Sequence, residues 1–374
     1  MKSKLLYLSA SSIPSKSANS VHVMKMCDAI HRQGVKTTLL SREGSKAVAE
    51  DSREFYGTTS DFKIKTYPTI ELSGVSFLTS FLYIFQIFQS SKEETIFYGR
   101  DLPSLLLCAL LRRTFIYESH GIPHKKALIL MEKLILKSCY LKGIVFISQS
   151  LKGLYSISDS RVSNIVLHDS ADPPKNLDDK MPLKGSFKFN TVYVGALYAG
   201  RGLDLIYKLA KRLPSFAFHL FGGGQEEVLN ERQNIERLQL ENVFFYGYIS
   251  PKETYKCRNS ADVLLMPYKK SVMTINNASE TSRYMSPLKL FEYMASRKPI
   301  ISSDHQVLQE VLEDGVNALL CDPENVEMWE SALVKLYRSE ELREKLANQA
   351  YEDFRRSYTW DKRASVILSH FGEK

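Results

Sequence analysis

The sequence predicts an α/β protein built from two doubly wound, Rossmann-like domains. Its 374 residues suffice for about two domains of ordinary size. Short β-rich runs alternate with longer stretches at helical spacing, the pattern of parallel strands joined by helices. This pattern restarts after residues 171–185, a stretch rich in Pro, Asp and Lys that indicates an interdomain linker. We therefore expect domains at residues 1–180 and 181–374, facing each other across a ligand-binding cleft.

The first domain is predicted to begin with a strand, a helix and a second strand. Ser20 is placed to cap that helix, and Gly34 is placed to end it. Val23, Cys27 and Ile30 share one apolar face of it. The predicted strands are KLLYLS (4–9), VKTTLL (35–40), TIFYG (95–99), TFIYES (114–119) and GIVFIS (143–148).

The second domain repeats this alternation and ends in helices. After Asn348, charged and apolar residues alternate at helical spacing, which predicts one or two terminal helices. The sequence leaves open whether the last of them packs back on the first domain. The predicted strands are NTVYVG (190–195), FAFHLFG (216–222), VFFYG (243–247), DVLLMP (262–267), PIISS (299–303) and NALLC (317–321).

Composition excludes several classes of protein. With 44% hydrophobic and 25% charged residues, the chain is too apolar to be disordered. Its five cysteines form no C-x-x-C pair, which argues against a zinc site or disulfide framework and favours a reducing, cytoplasmic setting. The amino-terminal apolar run is too short for a signal peptide, and residues 75–88 are too few to span a membrane. The net charge is +8, and most of the excess lies in the first 180 residues.

Two glycine-rich turns follow predicted strands of the second domain. GALYAGRG (195–202) lacks the Lys and Ser/Thr of a P-loop, but its backbone N–H groups and Arg201 suit an anion at a helix N-terminus. A structural turn with a solvated Arg201 is the alternative. The second turn, Gly222 to Gly224, lacks the G-x-G-x-x-G order and on its own indicates a strand-to-helix connection.

The stretch SPLKLFEYMASRKPII (286–301) is the most informative one. Ser286 and Pro287 indicate the start of a helix, whose free N–H groups would face a phosphate, with Lys289 in its first turn. Glu292 follows on a largely apolar helix, and the hydroxyls of a ribose would supply the donors that a buried carboxylate needs. A capping or salt-bridging role is the alternative for Glu292.

Two histidines near the end of a predicted strand are further candidates. His120 and His124 have the spacing of a helical metal pair, but Gly121 and Pro123 disfavour a continuous helix there, so we expect no zinc site. His120 is expected to point into the cleft instead. No D-x-D pair occurs in the sequence, which favours a pyrophosphate held by N–H groups and cations over one held by a metal.

Together these segments resemble the group 1 glycosyltransferases, family four of the retaining nucleotide-sugar enzymes with the GT-B architecture of two Rossmann-like domains. The resemblance covers nearly the whole chain and includes FFYGYISPKE (244–253), ADVLLMPY (261–268) and EVLEDGVNALLCDPEN (310–325). It implies that Arg201 contacts the donor pyrophosphate, that Glu292 holds the ribose and that His120 lies beside the sugar. With Lys289, His120 and Arg201 would be the catalytic residues. The other implied donor contacts are Asn19, Ser20, Gly195, Gly222, Gly223, Gly247, Tyr248, Ile249, Ser286, Pro287 and Leu288.

Three places depart from the family pattern. Asn19 and Ser20 stand in a loop that usually carries paired glycines. Tyr284 stands eight positions before Glu292, where the family often has a second glutamate, and Ala196 stands where it often has Arg. Lys289 is our candidate replacement for the missing cation.

The resemblance implies an enzyme that moves a hexose from a nucleoside diphosphate to a hydroxyl acceptor, with retention at the anomeric carbon. It implies a role in surface polysaccharide or glycolipid assembly. No separate cofactor is expected, and a UDP-sugar is our first choice of donor, ahead of a GDP-sugar. A non-catalytic subunit that supports a partner enzyme and a nucleotide-sugar epimerase are the alternatives. No nucleic-acid partner is expected.

A basic helix in the first domain suggests where the acceptor is carried. Residues 124–142 are predicted to form a helix on which Lys126, Lys133 and Lys137 lie within about 40° of one another. A basic stripe bordered by apolar residues is typical of an interfacial helix. We therefore expect a saccharide or lipid-linked saccharide acceptor at an anionic membrane surface, and a cytoplasmic protein peripheral to the inner face of that membrane. An ordinary solvated helix face is the alternative.

Overall fold

The chain forms two compact units in a computed structural model. Unit 1 comprises residues 1–169 and 360–374, and unit 2 comprises residues 170–359. The structure describes residues 4–44, 51–69, 76–90, 94–157, 161–174, 176–272 and 280–372.

Unit 1 contains a parallel sheet of seven strands among its described residues. The strands are β1 (Lys4–Ile13), β2 (Lys36–Glu43), β3 (Lys63–Tyr67), β4 (Thr95–Gly99), β5 (Phe115–Ser119), β6 (Leu141–Phe146) and β7 (Ser163–Val166). Their order, β3-β2-β1-β4-β5-β6-β7, reverses direction between β1 and β4. The five predicted strands of this unit are confirmed, whereas the two edge strands β3 and β7 were missed. Such a sheet binds ligands outside the carboxyl ends of its strands, at the reversal.

The helices between these strands differ from the predictions at two places. They are α1 (Ala18–Arg32), α2 (Ser52–Tyr56), a 3-10 helix (Ser76–Tyr83), α3 (Ile84–Gln89), α4 (Leu102–Leu110), α5 (Lys126–Leu136) and α6 (Gln149–Lys152). The prediction of Ser20 as the cap of α1 is wrong, because the Ser17 hydroxyl accepts the Ser20 N–H at 3.2 Å. The helix predicted over 124–142 ends at Leu136, because the residues from Leu141 onward form β6.

Unit 2 contains a second parallel sheet. Its strands are β8 (Phe189–Val194), β9 (Phe216–Phe221), β10 (Val243–Gly247), β11 (Val263–Met266), β12 (Ile300–Ser303) and β13 (Leu319–Cys321). They follow the order β10-β9-β8-β11-β12-β13, so this sheet reverses between β8 and β11. All six predicted strands are confirmed. The helices are α7 (Leu203–Arg212), α8 (Gln225–Arg237), α9 (Thr254–Asn259), α10 (Leu288–Ala295), α11 (Val326–Arg338) and α12 (Glu340–Ser357).

The core of unit 2 lies on both faces of its sheet. Along β11, Val263 and Leu265 pack into one buried cluster, while Leu264 and Met266 pack into the other. This alternation follows from the two-residue period of a strand. Because both faces of the sheet are covered, its strands appear in the sequence as continuous apolar runs. The sheet is therefore a rigid base for the loops at its carboxyl ends.

The last helix, α13 (Trp360–Phe371), belongs to unit 1. It packs on α1, where Arg32 donates to Asp361 at 2.8 Å. The domain limits drawn from the sequence put this helix with residues 181–374, whereas the contacts start unit 2 at residue 170. The linker is packed on unit 2, since Met181 N–H donates to the Lys256 carbonyl and Asn259 to the Asn176 carbonyl. Within the described residues, no helix is both long and apolar enough to cross a membrane.

Candidate functional site

Glycines at the ends of three neighbouring strands of unit 2 allow the turns that follow these strands to lie close to one another. The Gly195 N–H donates to the Phe221 carbonyl at 2.9 Å, and the Gly222 N–H donates to the Gly247 carbonyl at 2.7 Å. Gly222 has a φ of 132°, and a Cβ atom there would lie 1.9 Å from the Gly195 carbonyl oxygen. A side chain at this position would separate the strand ends. The turns after β8, β9 and β10 thus form one continuous backbone surface.

Lys289, in the first turn of α10, places a buried ammonium beside that surface. A Cβ atom at Gly195 would lie 2.5 Å from the Lys289 Nζ atom, so a side chain there would displace the flexible end of the lysine. The Nζ atom stands 4.1 Å from the ring centre of Tyr193 and has no hydrogen-bond partner among the described residues. Burial, with Arg201 nearby, holds the pKa of Lys289 well below its usual value. The residue as a whole is half-buried, so its charged end lies deeper than its stem.

Arg201 supplies a second cation from the turn before α7. Its guanidinium lies over the rings of Tyr198, at 4.6 Å, and Tyr268, at 5.1 Å, and it donates to the Tyr198 hydroxyl. The Lys289 Nζ atom lies 5.1 Å from the centre of the same Tyr268 ring. The charged groups of Arg201 and Lys289 therefore lie at the ring of the same tyrosine, Tyr268.

Glu292 favours the charged form of Lys289, but it does not form an ion pair with either cation. Among the described residues, neither Arg201 nor Lys289 forms an ion pair. Cations placed close together in a partly buried site repel each other and lose hydration, which makes each charged form less favourable. A ligand with two negative charges would relieve both effects, and a diphosphate is such a ligand.

The start of α10 adds backbone donors to this anion-binding arrangement. Pro287 is its N-cap residue in extended conformation, no side chain caps the helix, and Leu288 is its first residue. The Leu290 N–H donates to the Pro287 carbonyl at 3.0 Å, so the N–H groups of Leu288 and Lys289 are the ones that suit a ligand or solvent. Ser286, just before Pro287, is buried. The predicted helix start is confirmed.

Glu292 stands one turn after Lys289 and is 26% exposed at its side chain. Its Oε2 atom lies 3.4 Å from the Arg258 Nη1 atom, and Arg258 also donates to the hydroxyls of Ser296 and Thr254. The salt-bridging role considered from the sequence is therefore present. It leaves part of the Glu292 carboxylate accessible to a ligand, so ribose binding stays a prediction.

The remaining residues assigned to the donor lie on the turns around these glycines. Gly247 has a φ of 78°, and Tyr248 and Ile249 follow it half-buried. Gly223, with a φ of 77°, approaches Leu197. The roles of these residues toward a nucleotide stay predictions.

The two departures from the family pattern remove charge from unit 2. Tyr284 is buried where the family often has a glutamate. The Ala196 carbonyl accepts the Tyr193 hydroxyl at 2.6 Å, and its methyl side chain offers no cation. Tyr193 also lies under the ammonium group of Lys289. Ala196 and Lys289, the candidate replacement for the cation missing at Ala196, therefore contact the same tyrosine.

In unit 1, His120 follows β5 and has a side chain that is 16% exposed. Its Nδ1 atom lies 3.2 Å from Arg100 Nη1, and because a guanidinium only donates, Nδ1 accepts. The neutral ring then carries its proton on Nε2. Burial and Arg100 lower the pKa of His120 to about 4, so the imidazole is neutral near pH 7.

Behind His120 lies a buried charge network that sequence reasoning missed. Glu118 accepts from the Tyr7 hydroxyl at 2.7 Å and from Arg363 of α13. His22 of α1 lies between Glu118, at 3.2 Å, and Asp169, at 2.8 Å. Burial disfavours the charged form of Glu118, but His22 and Arg363 outweigh it and hold its pKa well below the usual range. Burial likewise disfavours a charged His22, yet the two carboxylates raise its pKa.

His22, Glu118 and His120 also have the ligand types and spacing of a metal site. Their candidate ligand atoms all lie within 4.8 Å of one another. Arg363 donates to the same Glu118 oxygen that faces both histidines, so a permanent positive charge already neutralises this carboxylate. The donor set therefore fits an ion-pair network better than a metal ion.

Asn19 and Ser20 lie in the first turn of α1. The Ser20 hydroxyl donates to the Ser15 and Ser17 carbonyls, so it is used within the loop. The Asn19 Oδ1 atom is buried without a partner among the described residues. Asn19 is thus the better candidate of the two for a ligand contact.

The aromatic residues around the cations were also missed from the sequence. Tyr198 and Tyr268 lie in stretches that carried the resemblance, and Tyr193 lies in a predicted strand. The sequence did contain a signal for these aromatic residues: Tyr198 and Tyr268 lie in the turns after β8 and β11, the two strands that border the sheet reversal. In unit 1, the signal was a glutamate within the buried run TFIYES.

Comparison with known proteins identifies the family to which this part of unit 2 is similar. The model of the family described as "Glycosyl transferases group 1" matches residues 178–353, which include every donor candidate from Gly195 to Glu292. These residues belong to the group 1 glycosyl transferases. Mannosylfructose-phosphate synthase of Agrobacterium fabrum is 26% identical over 189 residues, 47% of this chain and 38% of its own. The chain spans less than half the length of the first curated relatives it matches.

Several solved structures match over almost the whole chain. HepE of Anabaena in complex with UDP has a TM-score of 0.70 at 15% identity, covering 98% of this chain and 100% of its own. The apo form of WaaB, described as a lipopolysaccharide outer core galactosyltransferase, has a TM-score of 0.66 at 16% identity, covering 98% and 99%. These likenesses confirm the predicted GT-B class of fold, with two Rossmann-like α/β domains.

Proposed function

We propose that this protein is a glycosyltransferase that moves a sugar from a nucleoside diphosphate to a hydroxyl group of an acceptor, with retention at the anomeric carbon. One observation carries the proposal. Arg201 and Lys289 share a tyrosine ring beside glycine turns and an uncapped helix start, and neither forms an ion pair within the described residues. This is a site for a doubly charged anion inside the group 1 region.

The chemistry follows from where charge develops. The bond from the anomeric carbon to the diphosphate breaks, the acceptor oxygen bonds to that carbon, and its proton passes to the leaving phosphate. Arg201, Lys289 and the N–H groups of α10 would stabilise the negative charge on the leaving group. We assign His120 a hydrogen bond to the donor sugar, which a neutral imidazole can make without adding positive charge.

A UDP-sugar is the proposed donor, and a saccharide or lipid-linked saccharide is the proposed acceptor. HepE was crystallised with UDP and with UDP-glucose, and WaaB is described as acting on lipopolysaccharide outer core. These names support a hexosyl donor and a role in polysaccharide or glycolipid assembly. A nucleotide-sugar donor also favours a cytoplasmic location.

A thermal-unfolding panel with UDP, GDP, ADP and CMP tests the nucleotide site. A ligand present at about 100 times its Kd stabilises a protein by about 2.7 kcal/mol, and we expect UDP to raise the midpoint most. An Arg201→Gln variant should show a smaller shift, whereas the matched control Arg212→Gln, on the exposed end of α7, should keep the full shift. If none of the four nucleotides raises the midpoint, the proposed site is wrong.

UDP release from UDP-glucose, measured with and without saccharide acceptors, tests the reaction itself. Acceptor-dependent release with a retained anomeric configuration is the expected result. An epimerised sugar nucleotide formed without acceptor would instead identify an epimerase. Tight UDP binding without turnover on a broad acceptor panel would favour a non-catalytic subunit.

A further inference from the structure

Large apolar side chains are exposed on one group of helices in unit 1. Phe85 and Phe88 of α3 are 66% and 65% exposed, Leu110 of α4 is 68% exposed, and Leu130 and Leu134 of α5 are 59% and 48% exposed. A single exposed leucine is ordinary, but several on neighbouring helices mark a surface that binds something. We call the outward side of α3, α4 and α5 the α3–α5 surface.

The three helices form a connected layer. Helix α4 contacts both α3 and α5. The Arg113 guanidinium, just after α4, donates to the Phe88 carbonyl at 2.6 Å and so ties the end of α3 to the end of α4. Residue 75, the start of the apolar run noted in the sequence, lies outside the described residues. The exposed side chains therefore belong to one surface of the molecule.

The charged residues of this surface all have the same sign. Lys126, Leu130, Lys133, Leu134 and Lys137 are exposed and recur at intervals of three or four residues along one side of α5. Leu130 and Leu134 thus lie within the lysine stripe.

The single acidic residue of these helices does not offset this charge. Within residues 76–90, 102–113 and 122–137, Glu132 is the one carboxylate, and it is buried. It accepts from the Tyr117 hydroxyl at 2.7 Å and from the Tyr155 hydroxyl at 2.6 Å. The exposed face is therefore both apolar and uniformly basic.

We propose that the α3–α5 surface binds the face of an anionic lipid bilayer. Leucine and phenylalanine side chains would enter the boundary between headgroups and acyl chains, while the lysine stems extend along it and hold their ammonium groups at the lipid phosphates. A second copy of this chain would bring a second basic face against the first, and such like-charge contact is unfavourable. An anionic bilayer matches both the charge and the apolar character.

Vesicle sedimentation of the full chain tests this proposal. The probes are vesicles of phosphatidylcholine alone and of phosphatidylcholine mixed with phosphatidylglycerol, each at low and high salt. We expect binding to the anionic vesicles that weakens as salt rises. Replacing Lys126, Lys133 and Lys137 with Glu should reduce the partition coefficient by about fivefold per lysine, or roughly a hundredfold in all.

Two further variants make the result specific to this surface. The control replaces Lys208, Lys211 and Lys345, three exposed lysines of unit 2, with Glu, and it should bind anionic vesicles much more tightly than the α5 variant despite the same charge change. Leu130→Ser with Leu134→Ser should lower binding tenfold or more yet keep the salt dependence. Circular dichroism and thermal unfolding would verify that each variant is folded.

Several results would overturn the proposal. These are no sedimentation with anionic vesicles at low salt, equal losses in the α5 triple variant and its control, or a dimer in solution that the leucine variant abolishes without any vesicle binding. The assay needs neither a donor nor turnover. A failure here is therefore distinguishable from a failure of the proposed glycosyl transfer, and either can stand without the other.

Discussion

Replacing Lys289 with Met would show whether its ammonium group binds a ligand or stabilises the fold. Methionine has a similar length and fills the same space beside Gly195 and over the Tyr193 ring, but it carries no charge. The Lys289 Nζ atom is buried without a hydrogen-bond partner among the described residues, so in the free protein it loses hydration that its contact with the Tyr193 ring offsets only in part. We therefore expect opposite effects on stability and on binding.

The magnitudes follow from these two environments. A buried donor without a partner costs about 1–3 kcal/mol, so the free Lys289→Met protein should unfold at the same or a higher temperature. A charge-assisted hydrogen bond to a diphosphate contributes about 1.5–3 kcal/mol, so UDP affinity should fall roughly ten- to a hundredfold. Lys208→Met, on the exposed face of α7, is the matched control and should change neither quantity.

Proton uptake gives an independent measurement. Burial and Arg201 hold the pKa of Lys289 below its usual value, and a bound diphosphate would raise it again. UDP binding should therefore take up a proton, and affinity should fall as the pH rises through the pKa of the free protein. Calorimetric titrations in buffers of different ionisation enthalpy should detect this uptake in the wild type and not in Lys289→Met.

One combination of results would refute the reasoning. If Lys289→Met destabilised the free protein by several kcal/mol and bound UDP with unchanged affinity, Lys289 would be a structural residue. The doubly charged anion site would then rest on Arg201 alone.

Three other changes have defined outcomes. Arg201→Gln should lower turnover by about 10² or more, and more than it weakens UDP binding, because the leaving group gains charge in the transition state; equal losses in steady-state and binding measurements would indicate ground-state attraction. Glu292→Ala should weaken UDP binding in calorimetry with little change in unfolding, since its side chain is 26% exposed; unchanged affinity would leave only its ion pair. Arg363→Met should lower the free energy of unfolding by about 3–5 kcal/mol by leaving Glu118 charged and buried, and adding Glu118→Gln should recover part of the loss in urea denaturation; a loss below 1 kcal/mol would contradict the network.

The strands that the sequence predicted and those it did not differ in their burial. Most of the eleven predicted runs form strands with continuous buried stretches, such as β4 and β9, while the predicted edge strand β10 is partly buried. The missed strands β3 (KIKTY) and β7 (SNIV) are the two edges of the unit 1 sheet, and their residues are exposed or half-buried. These two strands bury too little apolar surface to leave a continuous hydrophobic run in the sequence, unlike the unit 2 edge strands β10 (VFFYG) and β13 (LLC).

The site residues divide in a similar way. Arg201, Lys289 and Glu292 stand in short motifs whose spacing can be read locally. The charge network of unit 1 joins Glu118 to Arg363, 245 positions later, and no local pattern connects two such residues. The sequence predicted the ends of the strands but not the buried partners that reach them from distant helices.

The return of the chain to unit 1 affects the order in which the protein can fold on the ribosome. Unit 2 is contiguous, from residue 170 to residue 359, so all of it has been synthesised before α13 is made. Until Arg363 emerges, Glu118 has one fewer cation and the surface of α1 that α13 covers stays exposed to solvent. Unit 1 therefore cannot complete its packing before the whole of unit 2 has been synthesised, unlike an amino-terminal domain that folds first during translation.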